Sequence, residues 1–169
     1  MNIVQGVLFN EQDTLQEAKD DLEKDVRKGT RCKCCNCFVK EYQGNIHSTL
    51  AQWLLLLYME HKNFVGWDAY IHYNSDRLKI PGCKTFTDYA RLKYWKLIEP
   101  MPKDPKNKKV KASGSWRITK AGREFVEGNL RLPKYAKIRN NEFLGHYGEL
   151  VSILQCLPKS FNYTEYMNR

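Results

Sequence analysis

Residues 85–126 read TFTDYARLKYWKLIEPMPKDPKNKKVKASGSWRITKAGREFV, and the punctuation of this stretch decides the fold. Thr85 can cap a helix, and Asp88 three residues later approximates a capping box, so a helix is expected over 85–98. The following EPMPKDPKNKKVKASGSWRIT has a Lys- and Pro-rich middle without an apolar period. It is flanked by LIEPM and by SWRIT, which alternates as a strand does. That pattern predicts a β-hairpin with a long basic tip. Thr119 then caps a helix over KAGREFVEGNL.

Upstream, Ser48 or Thr49 can start a helix over 49–61, in which Leu50, Trp53, Leu54, Leu57 and Tyr58 follow the helical period. Leu55, Leu56 and Met59 add apolar groups around the rest of its circumference. A helix of this kind must be covered on several sides, which makes it the expected core helix. A shorter helix is expected within 68–78, before the break at Pro81 and Gly82. Residues 11–28 are charged helix formers with a narrow stripe of Leu15, Ala18, Leu22 and Val26, ended by Gly29. Downstream of Pro133, KYAKIR and EFLGHY are joined by Asn140-Asn141, a tight-turn pair, and VSILQCL and FNYTEYM suggest two short helices around Pro158.

The chain has 169 residues, 42% of them apolar, enough for one ordinary domain with a core and an extension. Its most apolar run, AQWLLLLYM, is far short of the roughly 18 residues a membrane span needs. MNIVQGVLFN lacks a basic lead-in and a small-residue cleavage site, so no export leader and a cytoplasmic location are expected. The formal charge of +9 is concentrated: residues 77–123 hold fourteen Lys/Arg against three acids, whereas 1–31 hold five against seven. Such a patch attracts polyanions. His72 and His146 have no nucleophile at a motif spacing and there is no Gly-rich phosphate loop, so an enzyme is not expected.

The order of elements from 46 to 127, with YARLKYWKLIE and GSWRITKAGREFVEG, resembles a winged helix-turn-helix domain. The resemblance covers roughly half the chain, and Thr119, Gly122 and Phe125 are its most specific part. Lys96 stands where that pattern has Gly, so the recognition helix is expected to end differently or run longer. The whole layout is also similar to small phage-encoded proteins of unassigned function. They share a Cys-x-x-Cys near residue 30, a leucine-rich helix, Leu-x-x-Trp-x-Leu-Ile-Glu, Trp-x-Ile-Thr-x-x-Gly and a Pro-Lys-Tyr-Ala entry (133–136) into a terminal hairpin.

These resemblances imply an α+β fold: a winged-helix core (46–132) with an N-terminal helix (1–30), a cysteine knuckle (31–45) and a C-terminal hairpin and helical extension (133–169). In winged-helix DNA binders the recognition helix enters the major groove and the wing follows the backbone. With Phe86, Tyr89, Leu92 and Leu97 facing the core, Lys84, Thr87, Asp88 and Arg91 face outward, the basic and hydroxyl groups among them being candidate base-edge contacts. Lys106, Lys108, Lys109, Lys111 and Arg117 are candidate phosphate contacts. The expected function is transcriptional regulation or a DNA-associated accessory role in the host-cell cytoplasm, with duplex DNA favoured over RNA. The alternative is an inhibitor or adaptor that docks its basic wing on a host protein or ribonucleoprotein. The N-terminal helix suits a homodimer contact or packing on its own domain equally.

RCKCCNCFVK (31–40) gathers four of the chain's six cysteines. Cys32/Cys35 and Cys34/Cys37 are overlapping Cys-x-x-Cys pairs, each the usual half of a tetrahedral zinc site. No second Cys-x-x-Cys and no His-x-x-x-His exists. Either all four cysteines close on one structural zinc, or His47 with one of His61, His72 or Cys83 completes the site. A metal-free turn, redox chemistry and an intermolecular disulfide remain alternatives, whereas a disulfide between adjacent Cys34 and Cys35 would be strained.

Overall fold

The structure is a computed structural model and describes residues 14–80, 87–102 and 114–168. It has a mixed α+β fold, with short helices and, among the described residues, three small sheets. The chain forms two compact units, one of residues 1–44 with 136–146 and the other of 45–135 with 147–169. The segment 133–169, expected as one extension, is thus divided between them.

In the first unit, α1 (Leu15–Asp25) begins with a capping box: Thr14 Oγ1 accepts from the Glu17 N–H at 3.2 Å, and the Thr14 N–H donates to Glu17 Oε2 at 2.7 Å. The helix buries Ala18, and Val26 is buried just past its end, but Leu15 is exposed, so the expected stripe is covered only in part. The strands β1 (Thr30–Arg31) and β2 (Phe38–Val39) pair antiparallel, with Thr30 opposite Val39 and Arg31 opposite Phe38. Gly29, at φ 93°, precedes this hairpin, and a Cβ there would lie 2.6 Å from the Phe38 ring. Arg139 pairs with Glu23 and, at 3.5 Å, with Glu41.

A second sheet has the order β3 (Glu41–Asn45), β7 (Leu132–Arg139), β8 (Glu142–Val151). Asn140 and Asn141 both take positive φ, 49° and 67°, giving the tight turn expected from the sequence.

The second unit is built around α2 (Ser48–Glu60), whose Leu50, Trp53, Leu54, Leu55 and Leu57 are almost completely buried. Burial on several sides matches the all-round apolar sequence. The N-cap is His47, not Ser48 or Thr49. The helix relaxes into a π turn at His61–Val65, closed by Gly66 at φ 81°. The helix expected within 68–78 is instead the strand β4 (Ile71–His72) and a 3₁₀ turn at Asp76–Leu78. Residues 71–72 are extended because they pair with Trp116 and Ser115.

The segment expected as an α-helix over 85–98 is a 3₁₀-helix at Asp88–Trp95. Its buried residues, Tyr89, Leu92 and Trp95, recur every third position, which matches the 3₁₀ period rather than the α period. Next come β5 (Ile98–Pro100), β6 (Ser115–Ile118) and α3 (Lys120–Val126), followed after the second sheet by α4 (Ile153–Cys156) and α5 (Tyr163–Met167). Tyr89 stacks on Trp53 and on Tyr73, each with ring centres 4.9 Å apart, and meets Trp116 edge-on. The Trp95 indole N–H donates to the Pro133 carbonyl at 2.7 Å. Trp53, Tyr89 and Trp95 are core groups, and Tyr73 and Trp116 are half-buried beside them. Among the described residues no helix is long and apolar enough to cross a membrane.

Candidate nucleic-acid interface

The hairpin β5–β6 places Ile98 opposite Ile118, Glu99 opposite Arg117 and Pro100 opposite Trp116. Alternation sends Ile98 and Ile118 into the core and leaves Glu99 and Arg117 on the other face. β4 adds to the far edge of β6, so the three-stranded order is β4-β6-β5. The loop joining β5 to β6 contains the lysine run; Lys106, Lys108, Lys109 and Lys111 lie outside the described residues, as do Cys83, Lys84 and Phe86.

The 3₁₀-helix leads directly into β5. Its buried edge leaves Thr87, Arg91 and Lys93 exposed and Asp88 half-exposed. Arg91 Nε lies 3.7 Å from an Asp88 carboxylate oxygen, and Lys93 sits over the Tyr94 ring at 5.1 Å. Arg117, expected as a phosphate contact, is held by the Glu99 carboxylate, approaches Asp68 at 3.7 Å and covers the Tyr70 ring at 5.1 Å. The hydrogen bond it donates to Glu99 raises its pKa further, so this cation is already matched by carboxylates of its own sheet and loop.

Thr119 and Gly122 join the hairpin to α3. The Thr119 hydroxyl donates to the Lys96 carbonyl at 2.6 Å and accepts from the Gly122 N–H at 3.0 Å, while the Thr119 N–H donates to the Leu97 carbonyl at 3.0 Å. α3 packs so closely on that carbonyl that a Cβ on Gly122 would collide with the Leu97 oxygen. Lys96 takes the left-handed conformation, φ 58° and ψ 26°, that glycine supplies in the resembling pattern. The 3₁₀-helix ends at Trp95, and lysine accepts the strain of the left-handed position that follows. Its N–H still reaches the Leu92 and Lys93 carbonyls.

Behind the hairpin, His61 is fully buried. Its Nδ1 lies 2.7 Å from the Gly66 carbonyl and its Nε2 lies 3.3 Å from the Ile118 N–H. The Ile118 N–H can only donate, so Nε2 is the acceptor and Nδ1 carries the proton. Burial holds the His61 pKa below its usual value, in keeping with this neutral form. His61 thereby ties the π turn to the base of the hairpin.

The cysteine cluster occupies the turn of the β1–β2 hairpin. The Cys32 N–H donates to the Cys37 carbonyl at 2.9 Å and the Asn36 N–H to the Cys32 carbonyl at 2.8 Å, with Asn36 at φ 55°. The Cys32 sulfur accepts from the main-chain N–H groups of Cys35 and Cys34, which lower its pKa. The Cys35 sulfur accepts from the Cys37 N–H, but hydrogen bonds with the Cys37 and Cys32 side chains raise its pKa overall. None of Cys32, Cys34, Cys35 and Cys37 is in a disulfide. His47 belongs to the second unit, where burial lowers its pKa and Asp88 and Arg91 are its charged neighbours. Among the described residues, no group of three or more His, Cys, Asp or Glu side chains is arranged to hold a metal ion.

Compared with protein-family models, with curated proteins and with solved structures, the chain gives no match. Sequence reasoning overlooked two exposed cations, Lys93 and Lys96, that lie beside Arg91 along the chain. The available signal for Lys93 was its place between buried Leu92 and half-buried Tyr94.

Proposed function

We propose that residues 45–135 with 147–169 form a winged helix-turn-helix module that binds nucleic acid, duplex DNA ahead of RNA. The protein would act as a transcriptional regulator or DNA-associated accessory factor. The observation that carries this reading is the strand order β4-β6-β5, in which the segment 88–95 runs straight into a hairpin whose loop holds the lysine run. Thr87, Arg91 and Lys93, with Lys84, would meet base edges. Lys106, Lys108, Lys109 and Lys111 would meet phosphates and set affinity without reading sequence.

Fluorescence anisotropy on a labelled duplex tests this. Affinity should fall steeply between about 50 and 200 mM salt, and Lys108→Glu with Lys109→Glu should reduce the log–log slope by roughly 2. Binding indifferent to salt and to the double variant removes the proposal. A protein or ribonucleoprotein partner for the basic hairpin is the second reading, favoured by the half-exposed Asp88 beside Arg91 on the presented edge. A host complex that copurifies after nuclease treatment, with no duplex binding in isolation, would select it.

A further inference from the structure

Four aromatic rings follow one another from the middle of α2 to the surface beside the basic loop. Trp53 stacks on Tyr89 and Tyr89 on Tyr73, each with ring centres 4.9 Å apart and with planes at 25° and 21°. The His72 ring follows Tyr73 at 4.8 Å and 34°. Trp53 and Tyr89 are buried, Tyr73 is half-buried and His72 is exposed, so the stack begins in the core and ends in solvent. Its outer end lies at the root of the loop that holds the lysine run. His72 stands opposite Ser115 across β4 and β6, the Tyr73 N–H donates to the Gly114 carbonyl at 3.0 Å, and the Met101 N–H donates to the Ser115 carbonyl at 2.9 Å.

Gly114, at φ 66°, leaves these two rings uncrowded: a Cβ there would lie 2.9 Å from Tyr73 Cδ1 and 3.0 Å from His72 Nε2. The Asn74 N–H donates to His72 Nδ1 at 3.2 Å, which orients the imidazole and puts the proton of the neutral ring on Nε2. A ring held by its neighbours before a ligand arrives loses little freedom on binding. Lysines on the loop attract a phosphate backbone, and an oriented, exposed ring gives a base a face to stack on. Bases inside a duplex are already stacked on both sides, so the base that can use this face is an unpaired one. We propose that His72, backed by Tyr73, is the stacking contact for an unpaired nucleobase adjoining the duplex held by the basic hairpin. This site rests on the nucleic-acid-binding reading and narrows its ligand to a duplex with a single-stranded extension.

The test compares the full chain on a blunt duplex and on the same duplex with a short 3′ or 5′ extension carrying 2-aminopurine, whose fluorescence falls when it stacks. The expected result is roughly tenfold tighter binding of an extended duplex, the scale of one base on one ring, with quenching of the 2-aminopurine on binding. His72→Ala should remove both the preference and the quenching. His72→Gln, which keeps a polar group without a ring, should do the same, whereas His72→Phe should keep both because it restores a ring. Circular dichroism checks that each variant folds, and either of the two ringless variants suffices. Equal affinity for blunt and extended duplexes, absence of quenching, or a preference kept in His72→Ala or His72→Gln overturns the site. In that event, salt-dependent binding of the blunt duplex that weakens in Lys108→Glu with Lys109→Glu leaves the nucleic-acid-binding reading standing; if no duplex binds, both fall.

Discussion

Replacing Gly122 with alanine separates local helix preference from tertiary packing, because the two predict opposite signs. Within a helix, alanine is favoured over glycine by about 1 kcal/mol. In this protein the new Cβ would collide with the Leu97 carbonyl oxygen, lie 2.6 Å from Ile118 Cγ1 and lie 3.1 Å from the Leu97 carbonyl carbon. Ordinary carbon contacts are about 3.5–4.0 Å, so α3 must move away from β5 by roughly 1 Å. Two of the three obstructing atoms are backbone and cannot rotate aside. Forced overpacking costs about 1–3 kcal/mol. The same movement stretches the bonds from Thr119 to the Lys96 and Leu97 carbonyls, each worth about 1 kcal/mol. After the propensity gain, a net loss of about 2–4 kcal/mol is expected.

Urea unfolding followed by circular dichroism measures the loss, with an unchanged slope certifying that the unfolded state is the same. Gly128→Ala is the control. Its φ is 81°, but a Cβ there would meet nothing within 4 Å, so only the conformational strain of about 1 kcal/mol applies. If Gly122→Ala is as stable as the unaltered chain, or no worse than Gly128→Ala, the close approach of α3 to Leu97 is refuted.

Lys96→Gly should raise stability by about 0.5–1 kcal/mol, because the left-handed conformation costs lysine more than the added freedom of glycine in the unfolded chain; Lys96→Ala should show no gain in urea midpoint. Stability should also decline as pH falls below neutral. His61 and His47 have folded pKa values below the 6.5 of the free side chain, so the unfolded chain binds protons first. The stabilisation is therefore present above about pH 6.5 and lost toward the lower folded values, and His61→Phe should flatten the urea midpoint against pH in that window. Asp21, pulled down to about 2 by hydrogen bonds from Lys24 and Lys33, does not titrate there.

The features that could be read from the sequence are those made by residues close along the chain. The Thr119 cap, the Asn140-Asn141 turn, the apolar circumference of α2 and the strands either side of the lysine run are all local patterns. Mapping Thr87 and Arg91 to an exposed edge also worked, because burial of Tyr89, Leu92 and Leu97 already required it. The partners of the charges were not legible: nothing local couples Arg117 to Asp68 and Tyr70, or Arg139 to Glu23.

By itself, then, the sequence determined the core helix α2, the capped start of α3, the Asn140-Asn141 turn and the strands flanking the lysine run, since capping, turn chemistry and apolar period act over a few residues. Only the tertiary structure decided the rest. It made Asp88–Trp95 a 3₁₀-helix, because the core beneath accepts every third side chain, and it made Ile71–His72 a strand, because β6 supplies its hydrogen bonds. It also required lysine at position 96 to adopt a glycine-like conformation, since the chain must turn there to bring Leu97 under α3.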